Sequence, residues 1–175
     1  MRLYCLSYAR TVKGFTLVEL IAVLVLLSIL SAAVFSRLPD TGSYQDAVLR
    51  DSLINSLRLS QRSALSHHAA ATEWQLTHPI ADQWQYAIRV SSANQLTEET
   101  MAATTLNYRG GSSSGTFNRN MAVGDTVTLR YDSLGNITHL DDGTLYPLNT
   151  SITLSFSGKT ICVALSGYAY AGSCP

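Results

Sequence analysis

Residues 15–35 read FTLVELIAVLVLLSILSAAVF, 21 positions with one charge, Glu19, and neither glycine nor proline. As a helix rising ~1.5 Å per residue, this run is about 32 Å long, enough to cross a hydrocarbon layer of roughly 30 Å. It is also apolar on every face, which argues against a core helix with one buried stripe. A secretory signal peptide has a shorter apolar part, roughly 7–15 residues, and a small-residue cleavage site; Leu30-Ser31-Ala32 is a poor one. A plain signal anchor fits the length and flanks. Neither explains Glu19. A carboxylate at that depth costs on the order of 2.5–3.5 kcal/mol and marks a function with a partner. No Lys, Arg or His lies between Phe15 and Ser36, so the partner comes from elsewhere. A cut between Gly14 and Phe15 would create an α-amine four residues ahead of Glu19, and on a neighbouring copy that amine is the missing cation. Arg2, Arg10 and Lys13 precede the run and no base lies within it, which favours a cytoplasmic N-terminus and export of the remainder.

Lys13-Gly14-Phe15-Thr16-Leu17-Val18-Glu19 and the apolar run that follows resemble the processing motif of type IV prepilins and type II secretion pseudopilins. The resemblance implies that a prepilin peptidase cuts after Gly14 and methylates the amine of Phe15. It places the family's assembly glutamate on Glu19, with Thr16 beside it. It also implies a bacterial inner-membrane protein with one pass and an exported C-terminal domain. The partners that follow are other pilins or pseudopilins, the prepilin peptidase/methylase, an inner-membrane assembly platform and the lipid bilayer. The leader, at 14 residues, is longer than the shortest ones in the family and contains Tyr4, Cys5, Leu6 and Tyr8.

Four segments follow: a leader over 1–14, an apolar assembly helix over 15–38, a kink and amphipathic helix over 39–66, and a β-sheet domain over 67–175. Pro39-Asp40-Thr41-Gly42-Ser43 is a breaker cluster, and Pro39 predicts a kink or unwound piece. Ser43 and Asp46 have the spacing of a capping box. Leu49, Leu53 and Leu57 then repeat every fourth position, with Arg50, Asp51, Arg58 and Arg62 read as a solvated face. Strands are predicted at 73–77, 83–90 and 126–131, and around Ile152, Leu154 and Phe156, with 161–165 as hairpin partner across a Ser157-Gly158-Lys159 turn. Residues 91–122, rich in Ser, Thr, Asn and Gly, are read as a long loop with one short strand at 106–108. Asp132 to Asn136 is a turn. The expected class is α+β: a long N-terminal helix, half transmembrane and half amphipathic, on an antiparallel sheet, as in pilins.

The chain has three cysteines. Losing the leader removes Cys5 and leaves Cys162 and Cys174, 12 positions apart in an exported domain, which reads as a disulfide. Closing such a loop contributes about 3 kcal/mol in the chain-entropy model. The leader also carries three of the 12 basic residues, so the processed chain has 9 against 12 acidic and is mildly acidic. Lys159 is the only Lys or Arg after Arg130, and without a basic stripe no nucleic-acid partner is expected. Catalytic and metal signals are weak. His67 and His68 suit the negative end of a helix dipole. Asp141-Asp142-Gly143 lacks calcium-loop spacing and reads as a turn. No nucleophile elbow or phosphate loop occurs. No enzymatic activity, cofactor or metal is expected. The segments 130–136 and 50–59 are similar to minor pseudopilin H and to minor pilins of the mannose-sensitive haemagglutinin (MSHA) pilus system, respectively. They imply a minor pilin that primes or caps the filament. The alternatives are a secretion pseudopilin, or a tip subunit binding DNA, or a glycan through whichever of Trp74, Trp84, Tyr168 and Tyr170 is exposed, although core packing suits the tryptophans better.

Overall fold

The computed structural model describes residues 15–35, 41–67, 70–91, 93–102 and 104–175. The leader with Lys13 and Gly14, the kink expected at Pro39, and His68 lie outside them. The chain divides into two units, 1–39 and 40–175. In the first, α1 runs from Leu17 to Phe35.

In the second unit, α2 (Thr41–Ser66) precedes eleven strands. The helix starts at Thr41, which places Ser43 in its first turn; the side chain of Ser43, and with it the capping box expected with Asp46, lies outside what the structure describes. Leu49, Leu53, Ile54 and Leu57 are buried, followed by the small residues Ser56, Ser60, Ser63 and Ala64. Leucine spacing fixes which stripe turns inward, and the small side chains let the backbone approach the sheets closely. The Trp74 indole N–H donates to Ser56 Oγ at 2.8 Å, which satisfies a polar atom that burial would otherwise leave unpaired. The helix packs against strands of both sheets.

All pairings are antiparallel. The first sheet contains β1 (Thr72–Ile80), β2 (Gln83–Val90), β3 (Ala93–Met101), β6 (Thr126–Tyr131), β7 (Ile137–Asp141) and β8 (Leu145–Pro147), in the order β3-β2-β1-β6-β7-β8. The second contains β4 (Asn107–Ser112), β5 (Gly115–Asn120), β9 (Ile152–Phe156), β10 (Lys159–Val163) and β11 (Ala169–Ala171), in the order β11-β10-β9-β4-β5. Alternation supplies the core. Trp74 lies opposite Ile88 and Leu129, and Leu76 opposite Tyr86 and Val127, all buried. In the second sheet Leu154 lies between Tyr108 and Ile161.

The α+β class stands and is consistent with a pilin-like fold, but the single sheet becomes two. The segment read as a long loop over 91–122 with one short strand at 106–108 holds three strands: β4 extends the expected one, and β3 and β5 were not expected. Its glycines serve close packing: a Cβ on Gly110 would lie 2.7 Å from the Phe117 ring, and one on Gly111 2.8 Å from Thr150 Oγ1. The two-residue turn of that hairpin is Ser113-Ser114.

Candidate functional site

At the start of α1, Thr16 is the N-cap. Its hydroxyl oxygen accepts the Glu19 N–H at 3.2 Å, and its carbonyl accepts the N–H groups of Glu19 and Leu20 at 3.1 and 3.2 Å. A helix leaves its first N–H groups without intrahelical acceptors, and a threonine hydroxyl at this position satisfies one of them. The Thr16-x-x-Glu19 spacing carries this cap in the sequence, a signal that the reading of Thr16 as an assembly residue passed over. Phe15, just ahead of the cap, is 80 % exposed. Phe15 and Thr16 therefore sit at one helix entrance, with Glu19 in the first turn.

Glu19 is exposed on α1. Among the described residues its carboxylate has neither a hydrogen bond nor an ion pair. Around it, Leu17, Val18, Leu20, Ile21, Val23 and Leu24 are all exposed as well. Among the described residues no helix is long and apolar enough to cross a membrane; the described side chains of α1 end at Ser31.

The disulfide forms: Cys162 and Cys174 are bonded, with Cα atoms 5.0 Å apart. Cys162, in β10, is fully buried, so the bridge straps the chain terminus onto the second sheet. Arg58 closes the same region from α2. Its Nε donates to Ala169 O at 2.8 Å and its Nη2 to the Tyr168 hydroxyl at 3.1 Å, with the guanidinium 4.8 Å from the Tyr168 ring centroid. Gln61 adds a bond to Ser166 O at 2.6 Å. The reading of Arg58 as part of a solvated face is thus corrected, because β11 folds back within its reach.

Asp142 sits in the turn expected at Asp141-Asp142-Gly143, but its side chain is only 5 % exposed. It accepts the Tyr108 hydroxyl at 2.5 Å and pairs with Arg119 at 3.2 Å, joining the β7–β8 turn to β4 and β5 of the other sheet. Burial, then the hydrogen bond and charge of Asp142, push the Tyr108 phenol far above its ordinary range. This trio borders a polar cavity of about 370 Å³ with Asn120 and Asp125. It is a clamp between sheets, with the carboxylate already committed to two partners. His67 Nδ1 lies 2.9 Å from Ser63 O at the end of α2. Among the described residues no group of three or more His, Cys, Asp or Glu side chains could hold a metal. Trp74 and Trp84 are fully buried, which removes both from the aromatic residues considered for a glycan surface. Tyr168 stays half exposed.

Residues 9–35 match the family model described as the prokaryotic N-terminal methylation motif. No curated protein and no solved structure matches the chain.

Proposed function

We propose, from the match of residues 9–35 to the prokaryotic N-terminal methylation motif, that this is a type IV pilin-like or pseudopilin-like protein and, more narrowly, a minor pilin of the MSHA type. In this reading it is cut after Gly14, N-methylated at Phe15 and built into a filament as a structural, non-enzymatic subunit that primes or caps growth. The apolar run of 15–35 spans the bacterial inner membrane before assembly, N-terminus in the cytoplasm, and the unit of 40–175 lies outside. Other pilins, the prepilin peptidase and the assembly platform are its partners.

The observation that carries the reading is Glu19, a carboxylate on an otherwise apolar helix with no partner among the described residues. Burying that helix among lipid or neighbouring helices leaves the charge uncompensated unless a cation arrives with the neighbour. Cleavage makes that cation four residues upstream. Thr16 fixes the helix start, so the new amine is held within about one turn of the carboxylate level.

Mass analysis of the protein from cells with an active prepilin peptidase tests the first step. The expected product begins at N-methylated Phe15; a chain still beginning at Met1 overturns the reading. Deletion separates the two filament types. Loss of surface pili supports the MSHA assignment, whereas normal pili with failed secretion favours the pseudopilin. A DNA-binding tip has little support from 131–175, where Lys159 is the sole Lys or Arg.

A further inference from the structure

Each sheet ends in two edge strands, and the four differ in how they are closed. β8 is three residues long and contains Pro147. β11 is also three residues, and the Ala169 carbonyl accepts from Arg58. β3 and β5 are longer, with nine and six residues. Edges of this kind present rows of unpaired backbone groups to other chains.

Antiparallel alternation identifies the free groups. The Met121 N–H donates to Leu106 O at 2.8 Å, so residue 121 turns its backbone toward the β4 side. Counting back through the unbroken β4–β5 register, Arg119, Phe117 and Gly115 do the same, while Thr116, Asn118 and Asn120 turn theirs outward. The Ala102 N–H donates to Asp82 O at 3.0 Å, which by the same alternation turns Thr97, Glu99 and Met101 of β3 outward. None of these six residues has a backbone hydrogen bond on its outward side among the described residues. The side chains on that face of β5 are polar: Asn107 donates to both Asn118 and Asn120 across the β4–β5 pair.

We infer that the β5 edge of one copy pairs with the β3 edge of a second copy, joining their sheets head to tail. Charge selects this partner. Arg109 lies directly opposite Asn118 on β4, is exposed, and has no ion pair among the described residues. Glu99 is exposed and, among the described residues, accepts only from the neutral amides of Gln83 and Gln85. Pairing β3 with β3 brings Glu99 against its own copy. Arg109 stands one strand behind the β5 edge, so a β3 strand added there lies about 10 Å from it, within reach of its long side chain, whereas a second β5 edge brings it no carboxylate. A heterologous contact leaves one edge of each kind free on every pair, so it extends into a chain of subunits and does not stop at a dimer. Three backbone donors and three acceptors on each side make a weak contact between free molecules. Anchoring both copies in one bilayer raises their effective concentration. The biological setting rests on the filament-subunit reading; the edge pairing itself does not.

The test uses the full chain in liposomes, cross-linked and resolved by size. A ladder of dimers, trimers and larger species is expected. Asn118→Pro removes an outward N–H and leaves the backbone bonds to β4 intact. Its ladder should fall roughly tenfold, the loss expected when one intermolecular hydrogen bond gives way to a steric block, while Asn118→Ala, which loses the same side-chain bond to Asn107 but keeps the outward N–H, should retain it. Glu99→Lys and Arg109→Glu chains should each lose the ladder alone. Mixed together they should regain the ladder, because every junction of an alternating chain again carries opposite charges: the two altered positions meet at one, and native Arg109 and Glu99 meet at the next. This arm decides the matter if Asn118→Pro fails to fold. A ladder unchanged in all variants, or one that stops at dimers in the unaltered chain, overturns the inference. Cleavage after Gly14, followed in the same cells, reports separately on the filament reading.

Discussion

Thr16 and Asp132 are short polar residues that accept backbone N–H groups where regular structure begins or turns. Thr16 caps α1. Asp132 Oδ1 accepts from the backbone N–H of Leu134 and Asn136 at 2.9 and 2.8 Å, and its Oδ2 accepts the Asn136 side-chain amide at 3.0 Å. Partial burial pulls the Asp132 carboxyl upward, but these three hydrogen bonds outweigh it and hold the group below its ordinary range. A folded-state value below the unfolded one, about 3.9, means that the carboxylate stabilises the fold above that pH. The contribution fades as pH falls through the lower folded value. Asp132→Asn should cost about 0.5–1.5 kcal/mol at pH 7 in denaturant melts, and its difference from the unaltered chain should shrink below about pH 4. A difference that stays constant from pH 7 to 3 would count against this account. The turn was legible from Asp132-Ser133-Leu134-Gly135-Asn136; which groups its carboxylate holds was not, since that depends on how the chain closes.

Among the elements, α2 and β2 were the most legible, because each has one face in a core and one facing outward. Leu49, Leu53 and Leu57 mark the first at a spacing of four; Trp84, Tyr86, Ile88 and Val90 mark the second at a spacing of two. β5 carries no such mark: of Gly115 to Asn120 only Phe117 is buried, so one apolar residue stands for a whole strand. β4 was legible only at its start, in the short strand read at 106–108, because Gly110 and Gly111 follow, whose missing side chains make room for Phe117 and Thr150. The Phe117 ring is hemmed by Tyr146 at 5.3 Å and Tyr108 at 6.2 Å between centroids, so it has little freedom to retreat. Gly110→Ala should therefore destabilise the unit by about 1–3 kcal/mol, as overpacking does, measured by urea unfolding. An equally stable variant would show that the ring moves freely. Arg58 illustrates the opposite error. Helical spacing placed it correctly, but its contact with Ala169 spans 111 positions, beyond the reach of local pattern.

At the scale of the whole molecule, the split into two sheets was not visible in the sequence. The pair Cys162–Cys174 was legible from cysteine count and spacing, once Cys5 is assigned to the leader. The candidate site was legible because its signal is chemical: one acid in an apolar run is conspicuous without any fold. Glu19→Leu separates its role from that of the cleavage motif. The variant should still be cut after Gly14 and methylated, yet its incorporation into filaments should drop at least tenfold, corresponding to about 1.4 kcal/mol or more of lost pairing. Normal incorporation, followed by quantifying the protein in sheared filaments, would remove Glu19 from assembly. From Leu17 to Leu30 of α1, leucine, isoleucine and valine are exposed on every side. Such a rod has no azimuthal preference, so it behaves as a bearing and not as a key. It would seat many different neighbours equally well, and selectivity among them falls to the acid near its tip and to the domain it carries.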